Sequence, residues 1–129
     1  MHAKIWITSA LWGALCAYAS VAVAQSATPP VPDAAHRLVD AHGMTLYTYD
    51  RDAPGGVSRC DGICARLWPP SLASDDARPA PGFGVSRRND GTRQWTYLGH
   101  PLYRYAGDAA PGAVSGNGVN GTWHVTLVH

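Results

Sequence analysis

Hydrophobic and polar residues alternate over short stretches of this chain, and glycine, proline and aspartate separate those stretches. Such alternation is typical of half-buried β-strands. Six segments follow the pattern: 36–41, 44–50, 83–88, 93–98, 101–106 and 122–128. Outside them, only 61–67 could form a helical turn, which the prolines at 69–70 would end. The pattern predicts a small all-β domain of about six short, mostly antiparallel strands, with at most one helical turn.

The same alternation predicts which side chains face the core, because successive residues of a strand point to opposite faces. The aromatic residues that share the predicted core face are Tyr47, Tyr49, Trp95, Tyr97, Tyr103 and Tyr105. The residues between them, including Gln94, Thr96 and Arg104, are predicted to face water. Two long glycine-rich loops, 53–59 and 107–121, should connect the strands.

One stretch of the chain occurs twice. Residues 46–53 (LYTYDRDA) return as 102–109 (LYRYAGDA), and the likeness continues through the next five residues of each copy after one inserted alanine. Self-similarity of this kind indicates an internal duplication. Two copies are too few for a solenoid. We therefore predict one domain, 36–129, with two repeats at about 36–70 and 93–128 and pseudo-twofold symmetry.

The repeated pairing of a tyrosine with an aspartate after four intervening residues, Tyr47 with Asp52 and Tyr103 with Asp108, resembles the motif of the secreted-repeat family of predicted lipoproteins. Other short stretches fit the same family: DAHGMTLY at 40–47, CDGICA at 60–65, WPP at 68–70, DGTRQW at 90–95 and GTWHV at 121–125. The resemblance spans roughly 36–128. It implies an extracytoplasmic protein, and it implies no particular reaction.

The first 24 residues have the anatomy of a secretory signal peptide. Lys4 precedes an apolar stretch, and AVA at 22–24 is a small-x-small cleavage site. We expect cleavage there, leaving no membrane span, and a flexible leader at 25–35 ahead of the domain. The location is then secreted, periplasmic or in the cell envelope. The resemblance also implies a lipid anchor, but Leu15 before Cys16 is a poor lipobox.

Charge excludes some partners. After loss of Lys4 the chain keeps nine arginines and nine aspartates, with no lysine and no glutamate, so its net charge is near zero. No basic face is available for nucleic acid or for an anionic membrane surface. We expect a monomer without a cofactor.

Cys60 and Cys64 are the only cysteines that follow the signal peptide. In an exported protein an even pair favours a structural disulfide, which we predict here. Two alternatives stay open. One is an exchange-active pair, although its usual spacing is two intervening residues; the other is a pair of thiols that binds a metal.

The motif aspartates Asp52 and Asp108 also allow two interpretations. They could be turn residues whose carboxylates accept hydrogen bonds from nearby backbone N–H groups. Alternatively, each could pair with a tyrosine hydroxyl or an arginine as part of a site. Turn chemistry already explains an aspartate at these positions, so we predict structural roles for them and for Tyr47 and Tyr103.

No histidine has the spacing of a known zinc site, and we expect no metal. Met44 and His100 occupy corresponding positions of the two repeats, which could bring copper ligands together near the symmetry axis. The weak candidates for metal binding are Met44, His42, His100 and His124.

Enzyme signatures are missing from the sequence, which contains neither a nucleophile–base motif nor a metal-hydrolase motif. We therefore predict no catalytic residue. The leading hypothesis is a non-enzymatic exported module that binds an envelope protein or polymer through its loops and aromatic residues. The alternative is redox or copper handling in the envelope by Cys60 and Cys64, or by Met44 with the histidines.

Overall fold

The computed structural model describes residues 25–129. The predicted signal peptide at 1–24, with Cys16, lies outside the described residues. Within 25–129, no helix has the length and apolar character needed to cross a membrane.

Regular structure in the described residues consists of nine short strands, one α-helix and one 3₁₀ turn. The strands are β1 (Gln25–Ser26), β2 (Val31–Pro32), β3 (Leu38–Val39), β4 (Tyr47–Tyr49), β5 (Leu72–Ala73), β6 (Phe83–Arg87), β7 (Arg93–Tyr97), β8 (His100–Pro101) and β9 (Trp123–Val125). The helix α1 is Ile63–Leu67, and the 3₁₀ turn is Val119–Gly121.

Five strands form the largest sheet, in which β1, β5, β7 and β6 are neighbours in that order and β8 also pairs with β7. Two-stranded sheets join β2 with β3 and β4 with β9. Among the described strands only β1 and β5 run parallel. The prediction of a mostly antiparallel all-β fold is confirmed.

Every predicted strand overlaps an observed one, but the observed strands are shorter. The segment 101–106 is the clearest case, because regular pairing there ends at Pro101. Beyond it, Tyr103 forms isolated bridges to two separate segments, at Tyr47 and at Pro70. A chain whose neighbours change from residue to residue cannot build a long ladder.

The sequence pattern missed β1, β2 and β5, since two residues are too few for alternation to be visible. In the structure β1 pairs with β5, and β2 pairs with β3. The segment 25–35, predicted to be a flexible leader, therefore contributes two strands. Its mobility stays a prediction.

The two repeats meet at Tyr47 and Tyr103. The backbone N–H of each donates to the carbonyl of the other, at 2.8 and 3.0 Å. The neighbouring bonds also correspond: the N–H of Leu46 donates to the carbonyl of Leu38, and that of Leu102 donates to the carbonyl of Trp95. A pseudo-twofold axis therefore passes between the two tyrosines.

The C-terminal part of each repeat pairs with the segment of the other repeat that carries Tyr47 or Tyr103. In the second repeat β9 pairs with β4 of the first, and in the first repeat Pro70 bridges Tyr103 of the second. The N–H of Thr126 donates to Leu46, and the N–H of Ser71 donates to Leu102 in the same way. Neither repeat completes its backbone pairing alone, so the two form one unit.

Two clusters of buried residues make up the core. One contains Leu38, Leu46, Ala73, Trp95 and Leu102, and the other contains Tyr47, Cys60, Trp68, Tyr103 and Trp123. Tyr47 and Tyr103 are fully buried, as the alternation predicted.

The predicted wet face of β7 is wrong. Gln94 is 0% exposed and Thr96 is also buried. The strand lies inside the five-stranded sheet, with both of its faces covered. Gln94 is accommodated there because its amide nitrogen donates to the carbonyl of Leu102 at 2.7 Å, while its oxygen accepts from Arg88 at 2.8 Å.

Candidate functional site

Each motif tyrosine pairs with the aspartate of the other repeat. The hydroxyl of Tyr47 donates to Asp108 at 2.6 Å, and the hydroxyl of Tyr103 donates to Asp52 at 2.5 Å. Within a repeat the chain turns between the two residues, since the N–H of Asp52 donates to the carbonyl of Tyr49. The motif therefore joins the two repeats by two reciprocal hydrogen bonds.

The second carboxylate oxygen of each aspartate accepts a hydrogen bond from the backbone of the loop that follows it. Asp52 accepts from the backbone N–H of Arg59 at 2.8 Å, and Asp108 accepts from that of Ser115 at 2.9 Å. Both carboxylates are buried. Each aspartate thus combines the two interpretations open at the level of sequence, as a turn acceptor and as a tyrosine partner.

Burial raises the pKa of both motif tyrosines well above its ordinary value, and the hydrogen bond to a carboxylate raises it further, from Asp108 for Tyr47 and from Asp52 for Tyr103. The phenols therefore stay protonated and act as donors. Because both rings are fully buried, no substrate reaches these hydroxyls. A structural role for the four motif residues stays a prediction.

Arg88 reinforces one of the two pairs. Its buried guanidinium donates to the hydroxyl of Ser58 at 3.0 Å and to the carbonyl of Cys60 at 2.6 Å, and it forms a salt bridge with Asp61 at 3.1 Å. Ser58 in turn contacts the hydroxyl of Tyr103 at 2.6 Å. Sequence reasoning missed Arg88, because an arginine beside a polar turn gives no sign of burial.

Four aromatic rings form a continuous stack across the pseudo-twofold axis. Trp68 and Trp123 lie parallel at its centre, with ring centroids 3.8 Å apart. Tyr49 stacks on the outer face of Trp123 at 4.2 Å, and Tyr105 stacks on Trp68 at 4.4 Å. Gly116 lies against the stack, where an added Cβ would approach Trp68 to 2.8 Å. Sequence reasoning missed this stack, and the one feature that could have indicated it was a tryptophan near the end of each repeat.

The predicted disulfide between Cys60 and Cys64 is confirmed. Cys60 is fully buried in the aromatic cluster, whereas Cys64 lies in α1 and is half-buried. The helix that carries Cys64 has only five residues and no side-chain cap at its start. The bridge therefore helps to hold a helix too short to be stable alone.

An open cleft lies between α1 and the 3₁₀ turn, beside the aromatic stack. Its volume is about 430 Å³, and its lining consists of Tyr49, Arg51, Ile63, Cys64, Leu67, Trp68, Asn120, Thr122 and Trp123. We call it the α1 cleft. Two of these residues, Ile63 and Leu67, are 77% and 54% exposed. They stand four residues apart, on one face of the helix.

The candidate metal ligands lie in separate settings. The Nε2 atom of His124 is 2.8 Å from Asp50 on the surface, and His42 borders a small hollow that also contains Arg104. Met44 follows the turn after β3, and His100 lies in β8. Among the described residues, no three histidine, cysteine or acidic side chains are grouped to hold a metal ion.

A family described as a secreted repeat of unknown function matches the sequence twice, over residues 33–71 and 84–126. The chain belongs to this family. The two matches correspond to the two halves that meet at the pseudo-twofold axis, and they confirm the resemblance seen in the sequence. Membership of a secreted family also indicates that the protein is exported. No curated protein and no solved structure matches the chain.

Proposed function

We propose that this protein is a non-enzymatic binding module of the cell envelope, and that its α1 cleft holds a segment of another exported polypeptide. The observation that carries the proposal is the exposure of Ile63 and Leu67 side by side on the rim of a concave surface. Single exposed apolar residues are ordinary, but a contiguous apolar patch at a cleft is typical of an interaction site.

The ring arrangement favours a polypeptide over a glycan. A sugar-binding platform needs an aromatic face open to solvent, yet Trp68 and Trp123 are stacked on each other and are only 4% and 3% exposed. The most exposed apolar side chains of the lining are aliphatic, whereas Tyr49 is half-buried with one face on Trp123. Aliphatic side chains complement the side chains of a peptide.

Charge narrows the partner further. Among the described residues that line the cleft, Arg51 is the only charged one, and it forms no salt bridge with another described residue. The nearby carboxylates are engaged, since Asp50 contacts His124 and Asp61 contacts Arg88. The best occupant is therefore a segment that carries a large apolar side chain next to an acidic residue.

A non-enzymatic role is supported by the position of the chemically perturbed groups. The tyrosines whose pKa values are raised are fully buried, and the α1 cleft lining contains no histidine, aspartate or glutamate. Histidine, aspartate and glutamate are the groups that most often carry out general acid–base chemistry.

A titration with short peptides tests the proposal. Each peptide carries a central leucine flanked by either glutamate or lysine, and its affinity is measured by calorimetry. We expect the glutamate peptide to bind more tightly, and the double variant Ile63→Ser/Leu67→Ser to weaken it about tenfold, because several apolar carbons leave the contact. Arg51→Gln should remove the preference for glutamate over lysine.

The matched control is Leu127→Ser, since Leu127 is 50% exposed and lies outside the cleft lining. It should leave the affinity unchanged. Equal binding by the wild type and the cleft double variant would exclude the α1 cleft as the binding surface.

A further inference from the structure

The α1 cleft gives access to one end of the disulfide. Cys64 lines the cleft and is half-buried, whereas Cys60 is fully buried behind it. A thiolate that enters from solvent can therefore reach the bridge only from the side of Cys64. The exposed apolar residues on the rim, Ile63 and Leu67, lie on the same helix as this cysteine.

We propose that the Cys60–Cys64 bridge is a thiol–disulfide exchange site whose substrate is a cysteine of the polypeptide held in the α1 cleft. This inference rests on the binding role proposed above, since the cleft must first bind the polypeptide, and it adds to that role one stoichiometric exchange reaction. The substrate class is a reduced exported chain with two cysteines, one of them near an apolar residue and an acidic residue.

The exchange balances without another reactant. The substrate thiolate attacks Cys64 Sγ, so that a mixed disulfide forms while the Cys60–Cys64 bond breaks and Cys60 leaves as a thiolate. The second substrate thiolate then attacks the substrate sulfur of the mixed disulfide and releases Cys64. The substrate loses two electrons and gains a disulfide, and the protein ends with two thiols.

One charged side chain lies beside Cys60, the residue that would leave as a thiolate. Arg88 donates to the carbonyl of Cys60 at 2.6 Å, which places a buried guanidinium beside that residue. Positive charge favours a thiolate, whereas burial of Cys60 among aromatic rings disfavours one, so the guanidinium offsets part of that cost. Asp61 offsets only part of this charge, because its own side chain is about half exposed.

Besides its support of α1, a structural bridge at this position constrains the unfolded chain only modestly. The cysteines are only four residues apart, so the loop that the bridge closes is short. Constraint of the unfolded chain grows with loop length, and the stabilisation expected here lies at the low end of the range. A structural role also does not explain why Cys64 lines an accessible cleft.

The test follows mixed-disulfide formation by mass spectrometry on oxidised protein purified after expression of the full-length chain. The probes are the leucine–glutamate peptide with one added cysteine, a cysteine peptide that lacks the leucine and the glutamate, and a serine version of the first. We expect a mixed disulfide at Cys64, formed at least about tenfold faster with the first peptide than with the second, because docking orients the attacking thiol. Ile63→Ser/Leu67→Ser should abolish this advantage, and Leu127→Ser should keep it.

The serine peptide separates the two proposals. If it binds but the matched cysteine peptide reacts no faster than the plain one, exchange is excluded and the binding function stands. If it does not bind and no rate advantage appears, both proposals fail. A mixed disulfide at Cys60 instead of Cys64 would also overturn the exchange mechanism.

Discussion

At the scale of single residues, we expect the stability of this protein to depend on two buried phenol–carboxylate pairs. Tyr47 with Asp108 and Tyr103 with Asp52 are the only contacts of their kind between the repeats in the described chain, and all four residues are buried. A carboxylate that is buried without its donor is costly. The pairs are therefore worth more to the fold than equivalent bonds at the surface.

Removing one hydroxyl tests this dependence. Tyr47→Phe or Tyr103→Phe keeps the ring but leaves a carboxylate oxygen without its donor, so the free energy of unfolding should fall by about 1–3 kcal/mol. Tyr49→Phe is the control, because Tyr49 is half-buried and stacks through its ring face; it should change the value by less than about 0.5 kcal/mol. Urea titrations give all three values. A loss no larger than the control would contradict a stabilising role for the pairs.

The same residues predict an alkaline limit. The folded state raises the pKa of Tyr47 and Tyr103 above that of an unfolded tyrosine, about 10, so folding favours the neutral phenols. Their contribution is fully present below pH ~10 and is lost as the pH rises further, because the unfolded chain then releases protons that the folded chain keeps. Urea titrations at pH 8 to pH ~11.5 should show a fall above pH ~10. The fall should shrink in the Tyr47→Phe/Tyr103→Phe double variant, and an equal fall in both proteins would contradict the assignment.

At the scale of elements, one turn between two short strands requires an unfavourable backbone conformation. The turn between β7 and β8 is built from Leu98 and Gly99, whose φ angles are +49° and +83°. Glycine adopts such angles freely, but leucine does so at a cost. Leu98 is 64% exposed, so the packing of its side chain offsets little of this cost.

Relief of this strain should stabilise the protein. Asparagine tolerates the left-handed region better than leucine, so Leu98→Asn should raise the free energy of unfolding by about 1 kcal/mol. Leu127→Asn, at a similarly exposed leucine with an ordinary backbone, should give no gain. Thermal melts compare the two variants, and a destabilised Leu98→Asn protein would show that the leucine side chain matters more than the backbone.

At the scale of the whole molecule, the duplication explains both what the sequence predicts and what it does not. Alternation around Tyr47 and Tyr103 correctly places their rings inside, because that signal is local. The exchange of aspartates between repeats, and the stacking of Trp68 on Trp123, follow from how two copies close around an axis. No pattern within one copy contains that information.

The same limit accounts for the errors. Alternation assigns one face of a strand to water, and it failed at Gln94 because residues on both faces of β7 are buried. The α1 cleft could not be predicted either, since it combines α1 with Arg51 and with the 3₁₀ turn near the chain end. The disulfide was predictable because compartment and cysteine count alone indicate it.

We assign the duplicated motif to stability and the α1 cleft to binding. The most direct test is a titration of ¹⁵N-labelled protein with the leucine–glutamate peptide, followed residue by residue through amide chemical shifts. We predict that the largest changes occur at 49–51, 63–67 and 120–123, which border the cleft. Changes centred on any other surface, or none at saturating peptide, would contradict that assignment.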